Sequence, residues 1–320
     1  MAGPPPSRPS CLAVDIGGTK LAAAVVGPDG TLLAGARCPT PRGLGPDDAE
    51  TLFSALADLV GSVLGSAPAG APPALCGVAC GGPMTAGGDE VSPLNIPGWR
   101  GFPLRRRMAE LTGLPVTVDN DAKALALGEG WKGAAAGCED FIAMVVSTGV
   151  GGGIVLEGRL LDGASGNAGH IGHVNVVPNG RPCACGARGC LEAEVSGTGI
   201  AAATGRPAPE AGADVVARTG RLVGRAVGSV ANLLDLRLAV VGGSVALGFG
   251  APFFAAAQRE IDRRSRLDFS LGTRIVPAAL GGEGGLVGAA AMAYRASGSG
   301  AYRASGSGAH RAPRGGGGEK

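Results

Sequence analysis

Cys11-Leu12-Ala13-Val14-Asp15-Ile16-Gly17-Gly18-Thr19-Lys20 decides how the rest of the chain is read. An apolar run ends on an acid and then turns through two glycines and a threonine. Such a run bounded by glycine reads as a buried strand. A glycine turn directly after a strand leaves backbone N–H groups free to converge on a phosphate. Outward from it, Leu21–Val26 and Thr31–Ala36 read as two more strands. Gly27-Pro28-Asp29-Gly30 joins them, with Pro presetting φ and Gly accepting φ > 0. Leu52, Phe53, Leu56, Leu59, Val60, Val63 and Leu64 then recur at helical spacing, with Asp47 or Asp48 as N-cap. Leu75–Cys80 is a second buried strand, ending in Gly81-Gly82-Pro83. Pro103 opens a short helix that Gly113 closes, and Val116–Asp119 returns as a strand.

The second half has the same style. Phe141–Val146 is a strand that ends in Ser147-Thr148-Gly149-Val150-Gly151-Gly152-Gly153. Ile154–Leu156 and Arg159–Leu161 flank a Glu157-Gly158 turn. Leu238–Val241, after a helical stretch near Val223–Leu234, runs into Gly242-Gly243-Ser244. Two α/β halves are therefore expected, meeting near residue 118. The N-terminal domain spans 11–118, and the C-terminal domain spans 119–294, its last helix able to pack back on the first. Residues 1–10 and the Gly/Ser-rich tail 295–320 are expected to be disordered.

Composition narrows the function. The 320 residues are 45% hydrophobic, enough for two domains around a sizeable core. Net charge is only +2, which argues against a nucleic-acid binder with its concentrated basic face. Met1–Ser10 lacks the apolar stretch of a signal peptide, and no apolar run approaches the ~20 residues of a membrane helix. A cytoplasmic protein with neither nucleic-acid nor membrane partners is expected. Glycine and proline together, 83 of 320 residues, reach the range where disorder is suspected, but most glycines punctuate Val/Leu/Ile-rich runs. The tail differs: Tyr294–Ala301 and Tyr302–Ala309 are tandem octads with little to bury. Both tyrosines lie there, which argues against tyrosine chemistry.

Five cysteines are scattered (Cys11, Cys38, Cys76, Cys80, Cys138), several in apolar runs where a thiol acts as a small hydrophobe. The other three crowd into Cys183-Ala-Cys185-Gly-Ala-Arg-Gly-Cys190. In a reducing compartment that cluster reads as a metal site. With His310 in the tail, His170 and His173 are the imidazoles left to join it.

No lysine follows a glycine, so there is no Walker A sequence, and neither glycine turn matches Gly-x-Gly-x-x-Gly. The ordered set Asp15–Lys20, Asp119-Asn120-Asp121-Ala122, Ser147–Gly153 and the cysteine cluster resembles the ROK family (repressors, open reading frames and sugar kinases). Ser92–Trp99 belongs to the same resemblance, which runs from about Cys11 to Tyr294. It implies an α/β, two-domain, actin-like ATPase (RNase H-like) sugar-kinase fold. It also implies Mg-ATP-dependent phosphorylation of a hexose 6-hydroxyl. Asp15, Gly17, Gly18, Thr19 and Lys20 match the first phosphate segment, with Asp15 near the metal on ATP. Thr148, Gly149 and Gly151 match the second, and Gly242 and Gly243 fall where the family seats adenosine. Asp121 matches the catalytic base, a carboxylate placed to take one hydroxyl proton; its plainer reading is an N-cap for Ala122–Gly128. Gly82, Asn95, Asn120, His173 and Glu192 match sugar-site positions. His173, Cys183, Cys185 and Cys190 match a structural zinc set. A homodimer is expected.

One position departs from the pattern. Gly169 is usually followed by Glu, and here by His170, as N-acetylmannosamine kinases of the family can have, whereas Asn95–Trp99 looks like the glucokinase branch. A neutral imidazole offers one donor and one acceptor where a carboxylate only accepts. The reading therefore leans to an amino-substituted hexose, of kanosamine or N-acetylmannosamine type, with glucose as the alternative. Ten residues before the first strand leave no room for the helix-turn-helix of the family's regulators. An intact Asp121 argues against a non-catalytic sugar binder.

Overall fold

The computed structural model describes residues 9–41 and 48–298. Expectations for residues 1–8 and 299–320, including Tyr302 and His310, and for Asp47, lie outside the described residues. Apolar sequence and pairing explain the first sheet. Its strands are β1 (Ser10–Ile16), β2 (Lys20–Val26), β3 (Leu32–Pro39), β4 (Pro73–Cys80) and β5 (Val116–Asn120), in the order β3-β2-β1-β4-β5. β1 is almost wholly buried, whereas β3 at the edge alternates between covered and exposed residues. β1–β2 and β2–β3 are antiparallel; β1–β4 and β4–β5 are parallel. α1 (Ala49–Gly65), preceded by Asp48 at the N-cap, connects β3 to β4. α2 (Leu104–Thr112) connects β4 to β5 and ends on Gly113 in the left-handed region at φ 67°.

The second sheet repeats this plan. Its strands are β6 (Phe141–Val146), β7 (Val150–Leu156), β8 (Arg159–Leu160), β9 (Leu238–Gly242) and β10 (Arg274–Pro277), in the order β10-β9-β6-β7-β8. β6 takes the place of β1, antiparallel to β7 and parallel to β9. Glu157 and Gly158, at φ 51° and 69°, make the tight turn into β8. Between β8 and β9 lie the cysteine cluster, α4 (Leu191–Val195), α5 (Gly197–Thr204) and α6 (Ala213–Leu234). α7 (Ser244–Arg264), broken at Gly250, leads to β10.

Each half ends in a helix, α3 (Asp121–Lys132) after β5 and α8 (Gly284–Ala296) after β10. The halves exchange them. α3 packs mainly on β6 and β7, α8 on β1 and β4, and the two helices lie against each other. The middle layer of the core is this exchanged pair with the inner faces of both sheets. The outer layers are α1 and α2 on one side and α6 and α7 on the other. Close approach requires glycine at two places: a Cβ at Gly288 would collide with the Ala124 carbonyl, and one at Gly77 with that of Ala289.

α8 corrects the reading of the tail. Tyr294, the first residue of the octads, is fully buried, and its hydroxyl donates to the Pro9 and Val26 carbonyls at 2.9 and 3.1 Å. The preceding Leu286–Ala293 supplies the buried face that the octad alone lacks, so the helix continues through Ala296. Ser10, assigned to the disordered end, is buried in β1.

Candidate functional site

β1 and β4 end side by side, with Asp15 paired to Ala79 and Ile16 to Cys80, and β5 ends beside them. The loops that follow these three strands therefore leave the sheet at the same end. Gly18 of the first turn sits so close to Asn95 that a Cβ there would stand 2.9 Å from its Nδ2. A Cβ on Gly82 would stand 3.3 Å from the Asn120 Nδ2. Gly18 is thus brought against Asn95, and Gly82 against Asn120, at this end of the first sheet.

The start of α3 corrects one expectation. Asn120, not Asp121, is the N-cap: its Oδ1 accepts from the Ala122 N–H at 3.0 Å. Asp121 is the first helical residue, its Oδ1 also accepting from Ala122 N–H at 2.8 Å. The Asn120 amide keeps its Nδ2 for a ligand, and Asp121 keeps Oδ2. Burial pushes the Asp121 carboxyl above its usual range, opposed by the Ala122 hydrogen bond and the nearby His170. Asp15 is pushed up to about 6, first by burial and then by Asp121, with Lys20 and Arg37 opposing. Two carboxyls both held above their usual range, one of them raised by the other, suit one proton acceptor and one partner for a cation.

From the second half, Gly151 brings the β7 backbone against Ala122, and Glu192 approaches Gly149. One Glu192 oxygen, Oε2, accepts from the Val150 N–H at 2.9 Å. His170 Nδ1 lies 2.8 Å from the Asn167 carbonyl. A carbonyl only accepts, so Nδ1 carries a hydrogen, and it is the tautomer with Nε2 bare that offers an acceptor. This narrows the donor-and-acceptor reading of His170 to the acceptor role that a glutamate would fill.

His173 Nδ1 and the Sγ atoms of Cys183, Cys185 and Cys190 all lie within 4.8 Å of one another. Cys183 Sγ is 3.7 Å from His173 Nδ1, and Cys185 Sγ is 3.7 Å from Cys190 Sγ. A tetrahedral zinc with sulfur at about 2.3 Å has edges of about 3.8 Å. The four donors fit that ion, and with no place left for substrate the site would be closed. The Nδ1 of His173 faces the cysteines.

Beside the second glycine turn lies a cavity of ≈ 1020 Å³ whose lining includes Thr148 and Ser244. Its walls are apolar, with Ala201, Pro207, Phe249 and Pro252 from α5, α7 and the turn before α6. Gly242 and Gly243 do not line it; they bring α7 to its rim. Gly243, at φ 95°, lies so close to β6 that a Cβ would collide with the Val146 carbonyl. Ser147 and Ser244 hydroxyls then meet at 2.9 Å. Reading the sequence missed these wall residues, because nothing in Ala, Pro and Phe at scattered positions marks a shared surface. It also missed Thr40, whose Oγ1 donates to the Gly17 carbonyl at 2.6 Å.

Comparison with known proteins places this geometry. The family model described as the ROK family matches residues 11–296. The N-acetylmannosamine kinase of Escherichia fergusonii is 40% identical over 256 residues, covering 75% of this chain and 84% of that protein. A ROK hexokinase from Thermus thermophilus superposes with a TM-score of 0.76 at 34% identity, covering 91% of this chain and 100% of its own. A ROK family glucokinase from Streptomyces griseus, in complex with glucose and AMPPNP, gives 0.76 at 30% identity, covering 89% and 99%.

Proposed function

The chain belongs to the ROK family, and on that premise we propose that it is a kinase moving the γ-phosphoryl group of ATP to the 6-hydroxyl of a hexose. The observation that carries this is Asp121, held at the first turn of α3 where loops from both halves meet. Asp121 takes the 6-hydroxyl proton as that oxygen bonds to phosphorus and the bond to ADP breaks. Its raised pKa suits a base that must receive a proton in the transition state. Adenosine enters the cavity beside Thr148, whose apolar walls suit a purine. The turns at Gly17-Gly18-Thr19 and Thr148-Gly149-Val150-Gly151 direct backbone N–H groups at the phosphates, with Lys20 adding positive charge. Magnesium bound with ATP would supply charge neutralisation, and Asp15 is the carboxylate placed toward it. His173, Cys183, Cys185 and Cys190 hold a structural zinc in this reading. The halves, dividing near residue 118, close over the sugar and exclude water that would otherwise take the phosphoryl group.

Asn95, Asn120, Glu192 and His170 surround the sugar. His170 Nε2, as an acceptor, takes an acetamido or amino N–H or a hydroxyl alike, so the choice among sugars rests on the relatives. The N-acetylmannosamine kinase relatives support an amino-substituted hexose as first choice. The glucokinase structure with glucose bound favours glucose as second. None of the eight cysteines forms a disulfide, in keeping with a reducing cytoplasm. Among the described residues no helix is long and apolar enough to cross a membrane. A homodimer belongs to the same proposal and is checked by light scattering. Purified protein with Mg-ATP and glucose, N-acetylmannosamine, glucosamine and kanosamine tests the function. We expect 6-phosphate products, fastest from an amino-substituted sugar; no phosphorylation of any hexose would end the proposal.

A further inference from the structure

Lys123 is the one charged residue in Ala122–Leu127, an otherwise apolar stretch of α3, and its side chain is only 3% exposed. An ammonium has three N–H donors and is costly to bury unless each is met. Here three acceptors meet it. They are Asp119 Oδ2 at 2.8 Å, Asp162 Oδ1 at 3.0 Å and the Gly166 carbonyl at 3.1 Å. Asp119 lies in β5 of the first sheet, whereas Asp162 and Gly166 lie in the segment that follows β8. One side chain thus joins both halves two residues from Asp121.

What it grips leads to His170. Between Asp162 and His170 the chain is bonded largely to itself, through Ala168 N–H to the Asp162 carbonyl at 2.9 Å and Asn167 Nδ2 to the Ser165 carbonyl at 3.0 Å. Asn167, next to the gripped Gly166, offers the carbonyl that orients the His170 ring. Arg295 meets Asp162 at 3.7 Å, and Gly169 packs on Gly152. Neither of these reaches Gly166. We propose that Lys123 is a positioning residue for sugar selection: it straps Asp162–His170 to the first turn of α3 and so sets His170 against the sugar that Asp121 deprotonates. This rests on the sugar-kinase reading above.

The test is Lys123→Met, which keeps the apolar stem and removes the three donors, with Asp162→Asn as the milder variant that leaves Lys123 on Asp119 and Gly166. Hydrogen exchange in the ligand-free protein should speed up about tenfold over 162–170 in Lys123→Met, and by less in Asp162→Asn. Sugar KM should rise about tenfold while ATP KM stays within about twofold, and the preference among the four sugars should shrink toward unity. Lys123→Arg, which still donates to both carboxylates, should recover part of that preference. If Lys123→Met does not fold, Asp162→Asn alone decides, with about a threefold rise in sugar KM expected. Unchanged exchange over 162–170 with only a lower Tm, or equal rises in sugar and ATP KM, would overturn the strap. Exchange needs no substrate. A wild-type enzyme inert toward every hexose would therefore defeat the function and still leave the strap decided.

Discussion

The two glycine turns occupy equivalent places in the duplicated sheets and are held in opposite ways. Ile16 pairs with Leu21 before the first turn, and Val146 pairs with Val150 before the second. One step back, Asp15 faces Ala22 where Val145 faces Gly151. The first turn therefore carries an acid at the position where the second carries valine. The first is braced by its own sheet, since Thr40, just past β3, donates from its hydroxyl to Gly17 and from its N–H to Thr19. The second is braced from outside. Glu192 accepts from Val150 N–H, Gly197 N–H donates to the Ser147 carbonyl at 2.8 Å, and Thr198 Oγ1 donates to the Thr148 carbonyl at 3.0 Å. Those three residues lie within eight positions after Cys190. One hairpin plan has thus been divided into a turn with chemistry and a turn with a mounting.

Breaking what lies between the turns should have the largest effect. Asp121→Asn keeps the hydrogen bond from Ala122 N–H and removes the proton acceptor, so kcat should fall ~10²–10⁴-fold with sugar binding retained. Retention of more than about a tenth of kcat would show that both turns present ATP to some other base. Next comes the acid that only the first turn has. Asp15 ionises near 6 when folded and near 3.8 in the unfolded chain, so between these values the folded protein holds the extra proton. Its contribution to stability is therefore best below about 4 and declines as pH rises to about 6, by up to about 3 kcal/mol. Urea titrations of ligand-free wild type and Asp15→Asn should diverge across that window, with the variant gaining on the wild type as pH rises. Parallel curves would show that the first turn carries no strained carboxyl.

The mounting is tested by Cys183→Ser. One zinc per chain is expected by elemental analysis of the wild type, and its loss should speed exchange over 147–150 while leaving 17–20 unchanged. ATP KM should rise about tenfold together with sugar KM, because Glu192 serves both sides. A change confined to sugar KM would separate the cysteine cluster from the phosphate turn. The smallest effect belongs to the first brace. Thr40→Val removes one hydrogen bond worth ~1 kcal/mol, so ATP KM should rise about fivefold, with exchange faster over 17–20 alone. If 147–150 responds too, the turns are not independently held.

Strands, hairpins and the cysteine cluster were legible because each is local: apolar runs bounded by glycine, and thiols within eight residues of one another. His173 and Asp121 were singled out only through the ordered motifs and the resemblance they carry. What the sequence hides is whatever depends on which surfaces meet. Tyr294 opens a low-complexity repeat, yet Pro9 and Val26, far away in the chain, give its hydroxyl a buried place. Asp121 and Asn120 are equally good caps by composition, and the turn of β5 into α3 selects Asn120. His170 has two ring nitrogens in any sequence, and only the Asn167 carbonyl says which one is free. The cavity walls come from α5, α7 and the turn before α6, with no spacing rule to connect them.

The exchanged final helices also set an order of assembly during synthesis. The first sheet is complete at Asn120, but the helix that covers β1 and β4 begins at Gly284. About 160 residues must leave the ribosome in between, which at ~5–20 residues per second takes about 8–30 s. Throughout that interval the inner face of the first sheet, with Gly77 shaped for α8, has no permanent cover. The first half is therefore completed last, when Tyr294 finds the carbonyls of Pro9 and Val26.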